Sequence, residues 1–203
     1  MKKIAVLISG RGSNLQAIIK AKEQNIIRSD IHLVISNNPT ATGLEYAQQA
    51  DITSLAIDPK AYRTNKHYEQ AILVQLKIAQ IDYIVLAGYM KLLGETLLNA
   101  YKGKIINIHP SLLPKHKGLD AQKKALDSAD TESGCSIHYV TAKMDDGPII
   151  AQARVPILKN DTISSLSDRI LKEEHRLYPI TIQAVMEGKY SEIENKLIGE
   201  VHE

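Results

Sequence analysis

Five short apolar runs, at residues 4–8, 31–35, 52–57, 83–87 and 104–109, most constrain what this chain can fold into. They are dominated by Ile, Val and Leu with little polar alternation, so they read as strands buried on both faces, the habit of a parallel sheet. Parallel strands need crossovers of about a dozen residues or more, and helix-patterned segments fill those gaps. Leu15, Ile18 and Ile19 fall at helix spacing after the first run, with Ser13 and Gln16 forming a predicted capping box. Thr42 and Glu45 repeat that signal. Tyr68, Ile72, Leu76 and Ala79 mark a third helix, and Leu92, Leu93, Leu97 and Leu98 a fourth. The expected architecture is α/β, a doubly wound, mostly parallel sheet of Rossmann-like type.

Beyond residue 110 the rhythm changes. A proline-bearing loop leads to a predicted helix at 121–128. The alternating residues Cys135, Ser136, Ile137, His138, Tyr139 and Val140, and the run 149–157, then read as an antiparallel pair. Asp161 is placed to cap a long final helix carrying Ile163, Leu166, Ile170 and Leu177, in which Pro179 predicts a kink or break. The polar tail after Gly188 is expected to be peripheral. With no internal repeat or Gly/Ser-rich linker, one domain over 1–203 is expected.

Composition narrows the partners. Of 203 residues 44% are hydrophobic, enough for a full core, and 25 Lys and Arg nearly balance 23 Asp and Glu. Neither nucleic acid nor membrane is suggested as a partner by that balance. Cys135 is the one cysteine, so no intramolecular disulfide can form. The apolar start is cut short by Ser9-Gly10-Arg11 before it reaches signal-peptide length, and a cytoplasmic location is expected.

Two stretches carry chemistry. Ser9-Gly10-Arg11-Gly12-Ser13-Asn14 follows the first strand and opens the first helix, where backbone N–H groups and the helix dipole favour an anion. Taken alone, a tight turn with nothing bound accounts for it equally well; its place in the fold raises the phosphate reading. A dinucleotide fingerprint fails, because Leu15 holds the third glycine position, and a Walker lysine is missing.

The second stretch is Asn107-Ile108-His109-Pro110-Ser111-Leu112-Leu113-Pro114, with Asp145-Asp146-Gly147-Pro148 downstream. Side chains two apart on a strand share a face, so Asn107 and His109 deliver an amide and an imidazole to one place before Pro110 stops the pairing. A lone His is more often structural and a lone Asp-Asp-Gly more often a turn. Their value lies at the carboxyl end of a predicted central strand, where open α/β sheets bind ligands. A carboxylate from Asp145 would favour the protonated imidazole, giving a charge-assisted donor for a developing oxyanion. Without a nucleophilic Ser or Cys motif or a metal-ligand spacing, direct attack by a substrate amine fits best.

At these residues the chain resembles the phosphoribosylglycinamide formyltransferases, or glycinamide ribonucleotide transformylases, of purine biosynthesis. The likeness rests on the glycine loop through Leu15-Gln16, on Leu86-Ala87-Gly88-Tyr89-Met90-Lys91 and on the Asn107 stretch. Ser136-Ile137-His138-Tyr139-Val140 with Asp145 and Gly147-Pro148 add to it, as do Glu174-His175 and Tyr178-Pro179. It implies formyl transfer from 10-formyltetrahydrofolate, as cosubstrate and with no metal, to the amine of glycinamide ribonucleotide, by a monomer or homodimer. By position it makes Asn107, His109 and Asp145 catalytic and Gly12, Ser13 and Asn14 the substrate phosphate loop. Glu174 becomes a substrate contact. The folate pocket takes Met90, Lys91, Leu92 and Leu93, with Val140, Thr141, Ala142, Lys143 and Met144 and, at the tail, Asn65. Leu92 and Leu93 also fit ordinary helix packing. The single domain would thus divide into a phosphate-binding parallel half (1–109), a folate and catalytic half (110–188) and a tail (189–203).

Three positions depart from the family pattern or leave it open. Asn65 stands where an arginine is common, with Arg63 two residues away, and Asp120 where a histidine is common. Lys115, Lys117 and Lys123 can offset Asp120, although a solvated basic surface is the plainer reading. Asp145, two residues before Gly147, is the expected acid, and Asp146 a solvent-facing turn residue. A tRNA-directed formyltransferase would need a further carboxyl-terminal domain and a formyltetrahydrofolate hydrolase a regulatory domain ahead of the first strand. A non-enzymatic phosphate-binding module would have no use for the Asn, His and Asp trio.

Overall fold

The computed structural model describes residues 1–189, which group into two compact units dividing between Asn107 and Ile108. The tail expected to be peripheral lies, from residue 190, outside the described residues.

The first unit follows the expected alternation. It runs β1 (Lys3–Ile8), α1 (Ser13–Glu23), β2 (Asp30–Ser36), α2 (Gly43–Gln49), β3 (Thr53–Ala56), α3 (Asn65–Ile78), β4 (Tyr83–Leu86), α4 (Glu95–Ala100) and the start of β5 (Ile105–His109), whose last two residues, Ile108 and His109, open the second unit. Strand order is β3-β2-β1-β4-β5, and each of the four pairings is parallel. The central strand β1 is apolar because both its faces are covered: Ile4, Ala5, Val6, Leu7 and Ile8 are all 0% exposed. The first crossovers carry the chain from β1 outward through β2 to β3, and the next returns it to the other side of β1 at β4. This reversal creates a switch point at the carboxyl ends of β1 and β4.

Several local expectations give way to packing. Two-sided burial fails for residues 52–57: among the described residues β3 lies at the sheet edge, paired with β2, and Thr53 and Ala56 are exposed. Neither predicted capping box forms. Ser13 is already inside α1, whose cap is Gly12 at φ 76°, and Thr42 is itself helical with no side-chain cap bond. The cause is a close approach of two loops. A Cβ at Gly12 would lie 2.7 Å from Gly43 Cα, and the Gly43 amide donates to the Gly10 carbonyl at 3.1 Å. Tertiary contact, not a side-chain cap, sets these helix starts. The fourth helix is also shorter than its leucines suggested: α4 begins at Glu95, leaving Leu92 and Leu93 in the preceding irregular segment.

The second unit contains α5 (Ala121–Asp127), β6 (Glu132–Tyr139), β7 (Ile149–Pro156) and α6 (Ile163–Glu187). β6 and β7 pair antiparallel as expected, with a register shift between Ile137 and His138. The alternation of β6 does not leave a wet face, because the loop after β5 covers its polar residues. Ser136 Oγ donates to the Ser111 carbonyl at 2.6 Å and accepts from the Leu113 amide at 2.9 Å. Pro179 sits inside α6 without ending it; the loss of one backbone donor is outweighed by a face that buries Leu166, Ile170, Leu177, Tyr178 and Ile182. Thr162, not Asp161, is the N-cap, in a reciprocal box with Ser165. Asp161 instead receives the Arg169 guanidinium at 2.7 and 2.8 Å.

Candidate active site

His109 ends β5 and is 7% exposed. Its Nε2 lies 3.0 Å from the His116 carbonyl. A carbonyl can only accept, so Nε2 carries the proton. Nδ1 then faces Asp145 Oδ2 at 3.4 Å. On the other side of the same carboxylate, His138 Nε2 stands 3.6 Å from Oδ1, while its Nδ1 donates to the Tyr139 carbonyl at 3.0 Å. Asp145 therefore lies between two imidazoles, each already giving one N–H to a backbone oxygen. The Gly118 amide adds a donor to Oδ2 at 2.9 Å.

Local structure explains these aims. The register shift just before His138 breaks the pleat of β6, and such irregularities redirect side chains beside functional sites. Asp145 occupies the left-handed region at φ 48°, a strained choice that Asp tolerates better than most residues. Gly147 is required two residues on, because a Cβ there would overlap the Tyr139 carbonyl, the acceptor that orients His138. The loop after β5 is held by Asp130, which takes Lys115 Nζ at 2.8 Å and His116 Nε2 at 2.7 Å. That bond steadies the residue whose carbonyl meets His109.

Electrostatics corrects one expectation. Burial lowers the His109 pKa below its ordinary value and outweighs the raising effects of the His116 carbonyl and the Asp145 charge; His138 and Lys124 lower it further. The resting imidazole is thus biased toward the neutral form, where the neighbouring carboxylate had suggested a cation. For Asp145, burial works upward, but the His138 ring beside it, the Gly118 amide and the charges of His109 and His138 prevail and hold it at about 2. It is an anion across the physiological range.

Asn107 is half-buried on β5, two positions before His109 and so on the same strand face. In the first unit, Gly12, Ser13 and Asn14 form the turn into α1, next to the switch point. The first-turn amides of a helix have no intrahelical acceptor, and α1 has no acidic residue there to compete with an anion. Across the switch point the Met90 amide donates to Ser9 Oγ at 2.7 Å. Met90 and Leu92 are 74% and 67% exposed, so Leu92 is not helix packing. Lys91 Nζ stands 5.5 Å from the centre of the Tyr68 ring.

The remaining assignments divide. Thr141, Ala142, Lys143 and Met144 are exposed and Val140 half-buried. Asn65 is turned toward its own helix, donating to Glu69 Oε1 at 3.1 Å. Glu174 is buried on α6 at 6% exposure, where, after burial itself, its charge pushes the Cys135 thiol up. Asp146 is an exposed turn residue that takes Lys117. Lys115 and Lys123 pair with Asp130 and Asp127, so these lysines answer acids other than Asp120. Sequence reasoning gave no catalytic part to His138 and no role to Glu69; the polar position beside a strand irregularity is visible only with the pairing. Among the described residues no group of three or more His, Cys, Asp or Glu side chains is arranged to hold a metal ion, and no helix is long and apolar enough to cross a membrane.

Comparison with known proteins gives the family. Residues 2–182 match the family model described as formyl transferase. A phosphoribosylglycinamide formyltransferase of Bacillus subtilis is 46% identical over 92% of this chain and 95% of its own. The trifunctional purine biosynthetic protein adenosine-3 of Drosophila melanogaster is also 46% identical, but this chain spans only 14% of its length. The crystal structure of glycinamide ribonucleotide transformylase 1 from Symbiobacterium toebii superposes with a TM-score of 0.91 at 45% identity, covering 93% of this chain and 89% of that one.

Proposed function

The chain belongs to the formyl transferase family, and from that premise we propose that it moves a formyl group from 10-formyltetrahydrofolate to the amine of glycinamide ribonucleotide, a step of purine biosynthesis. The observation that carries the reading is the buried His109–Asp145 pair at the end of the strand that also bears Asn107. Acyl transfer to an amine needs donors for an oxyanion and a route for a proton, and these side chains are those donors and that route.

The free amine attacks the formyl carbon, and the carbonyl oxygen gains negative charge. The Asn107 carboxamide and the Nε2–H of His109 stabilise that oxygen, the latter leaving the His116 carbonyl to do so. A neutral resting imidazole is consistent with this role. As the oxyanion develops, the proton shed by the attacking amine is taken up on Nδ1 of His109, because Asp145 stands ready as an anion on that side. Collapse of the tetrahedral species breaks the bond to the folate nitrogen, which leaves well only when protonated. That same proton leaves Nδ1 and reaches the folate nitrogen by way of Asp145 and water, so His109 returns to its neutral form and no net proton is consumed.

Gly12, Ser13 and Asn14 hold the substrate phosphate in this reading, with Glu174 as a further substrate contact. The proposed folate contacts are Met90, Lys91, Leu92 and Leu93 in the first unit and Val140, Thr141, Ala142, Lys143 and Met144 in the second. Asn65, the position the resemblance assigns to the folate tail, gives its amide to Glu69. A cytoplasmic setting, one functional domain and a monomer or homodimer complete the proposal. Following tetrahydrofolate release by absorbance with glycinamide ribonucleotide as acceptor tests it; turnover independent of that acceptor would point to hydrolysis instead.

A further inference from the structure

We propose that Glu69 is a positioning residue for the folate cosubstrate: with Ser9 it pins both ends of the backbone segment 90–94 without touching the ligand. The inference rests on the reading of residues 90–93 as a folate wall.

Between β4 and α4 the chain has no helix or strand to satisfy its amides. Loops of this kind hold one shape only when their polar backbone groups find fixed partners. Two such partners come from far along the chain. Ser9 Oγ accepts from the Met90 amide at 2.7 Å, and Glu69 Oε1 accepts from the Gly94 amide. Glu69 lies on α3 and is 2% exposed. A carboxyl group buried this deeply costs stability unless donors meet it. Here the donors are the Gly94 backbone and the Asn65 side chain, both on Oε1.

Gly94 has the complementary requirement. A Cβ at that position would lie 2.9 Å from Oε1 and 3.0 Å from Oε2, so any larger residue would displace the acceptor. The same helix braces the middle of the segment. Tyr68 and Tyr89 hydroxyls meet at 2.6 Å in the interior, and Lys91 lies over the Tyr68 ring. Between the two pins, Met90 and Leu92 project their apolar side chains into solvent. A rigid backbone presenting exposed apolar groups is what a preorganised ligand wall requires, since the ordering cost is met before binding. The Asn65 departure from the family pattern acquires a purpose as well, because its amide holds the Glu69 carboxyl against Gly94.

The test uses the whole chain, with tetrahydrofolate and glycinamide ribonucleotide as separate calorimetric probes. Glu69→Leu removes the acceptor and should weaken tetrahydrofolate on the order of tenfold or more, as expected for an orphaned backbone donor, with glycinamide ribonucleotide affinity unchanged. Glu69→Gln retains an Oε1 able to accept both donors and should preserve tetrahydrofolate binding. Hydrogen exchange at the Gly94 amide should be slow in wild type and Glu69→Gln and fast in Glu69→Leu. Should Glu69→Leu fail to fold, Gly94→Ala displaces the same acceptor from outside α3 and should reproduce the loss. Wild-type binding that both Glu69→Leu and Gly94→Ala leave intact overturns the proposal alone, as does a Glu69→Gln loss equal to that of Glu69→Leu. A wild-type chain that binds no tetrahydrofolate overturns the folate reading and the proposal with it.

Discussion

Asp145 holds its Oδ2 3.4 Å from Nδ1 of His109 while His138 flanks the opposite oxygen at 3.6 Å. One anion thus serves two buried rings, and the consequences are measurable.

Turnover should depend steeply on the two donors of β5. Replacing His109 or Asn107 by Ala should lower kcat on the order of a hundred- to a thousandfold, the usual cost of one oxyanion donor. The folded state should be retained by circular dichroism. A variant of either residue with near-normal kcat removes that residue from the chemistry.

The His109 imidazole should titrate below its ordinary 6.5 in the free chain, because burial outweighs the attraction of Asp145. In Asp145→Asn the anion that raises it is gone, while His138 and Lys124 still lower it, so the value should fall further. Ring proton shifts followed by NMR across pH read both. A wild-type value above 6.5 would show that the Asp145 charge, not burial, prevails at this ring.

Acid stability should carry the imprint of two carboxylates. Asp145 and Asp130 are each held at about 2, below the roughly 3.9 of an unfolded Asp. A depressed folded pKa contributes stability above the unfolded value and loses it as pH falls toward the folded one. Tm should therefore drop between pH of about 4 and about 2. The double variant Asp130→Asn, Asp145→Asn should be less stable near neutrality yet lose less across that window. A slope equal to wild type would show that other groups set the acid limb.

Gly147→Ala should be costly beyond its size. The added Cβ overlaps the Tyr139 carbonyl, and overpacking of this kind costs about 1–3 kcal/mol or more. Because Tyr139 O also orients His138, kcat should fall along with Tm. Pro148→Ala, on an exposed neighbour, is the control and should change neither strongly.

What was legible in advance follows from how local each signal is. Five apolar runs at crossover spacing sufficed for a mostly parallel sheet, since two-sided burial and helix-length gaps leave few alternatives. Asn107 and His109 could be assigned one face from strand geometry alone, whereas the choice of Asp145 over Asp146 rests on the family resemblance, whose pattern places the acid two residues before Gly147. The edge exposure of β3, the late start of α4 and the unbroken passage of α6 through Pro179 were not legible. Each depends on which neighbour an element meets.

The sequence by itself determined the strand and helix alternation, the reactive side chains of β5 and the glycine turn into α1, because periodicity and turn chemistry act over a few residues. Only the tertiary structure decided that Gly12 rather than Ser13 caps α1, that Asn65 serves Glu69, and that His138 joins His109 around Asp145. It alone also set the charge of His109, since desolvation is a property of surroundings assembled from distant segments, which no window of neighbouring residues contains.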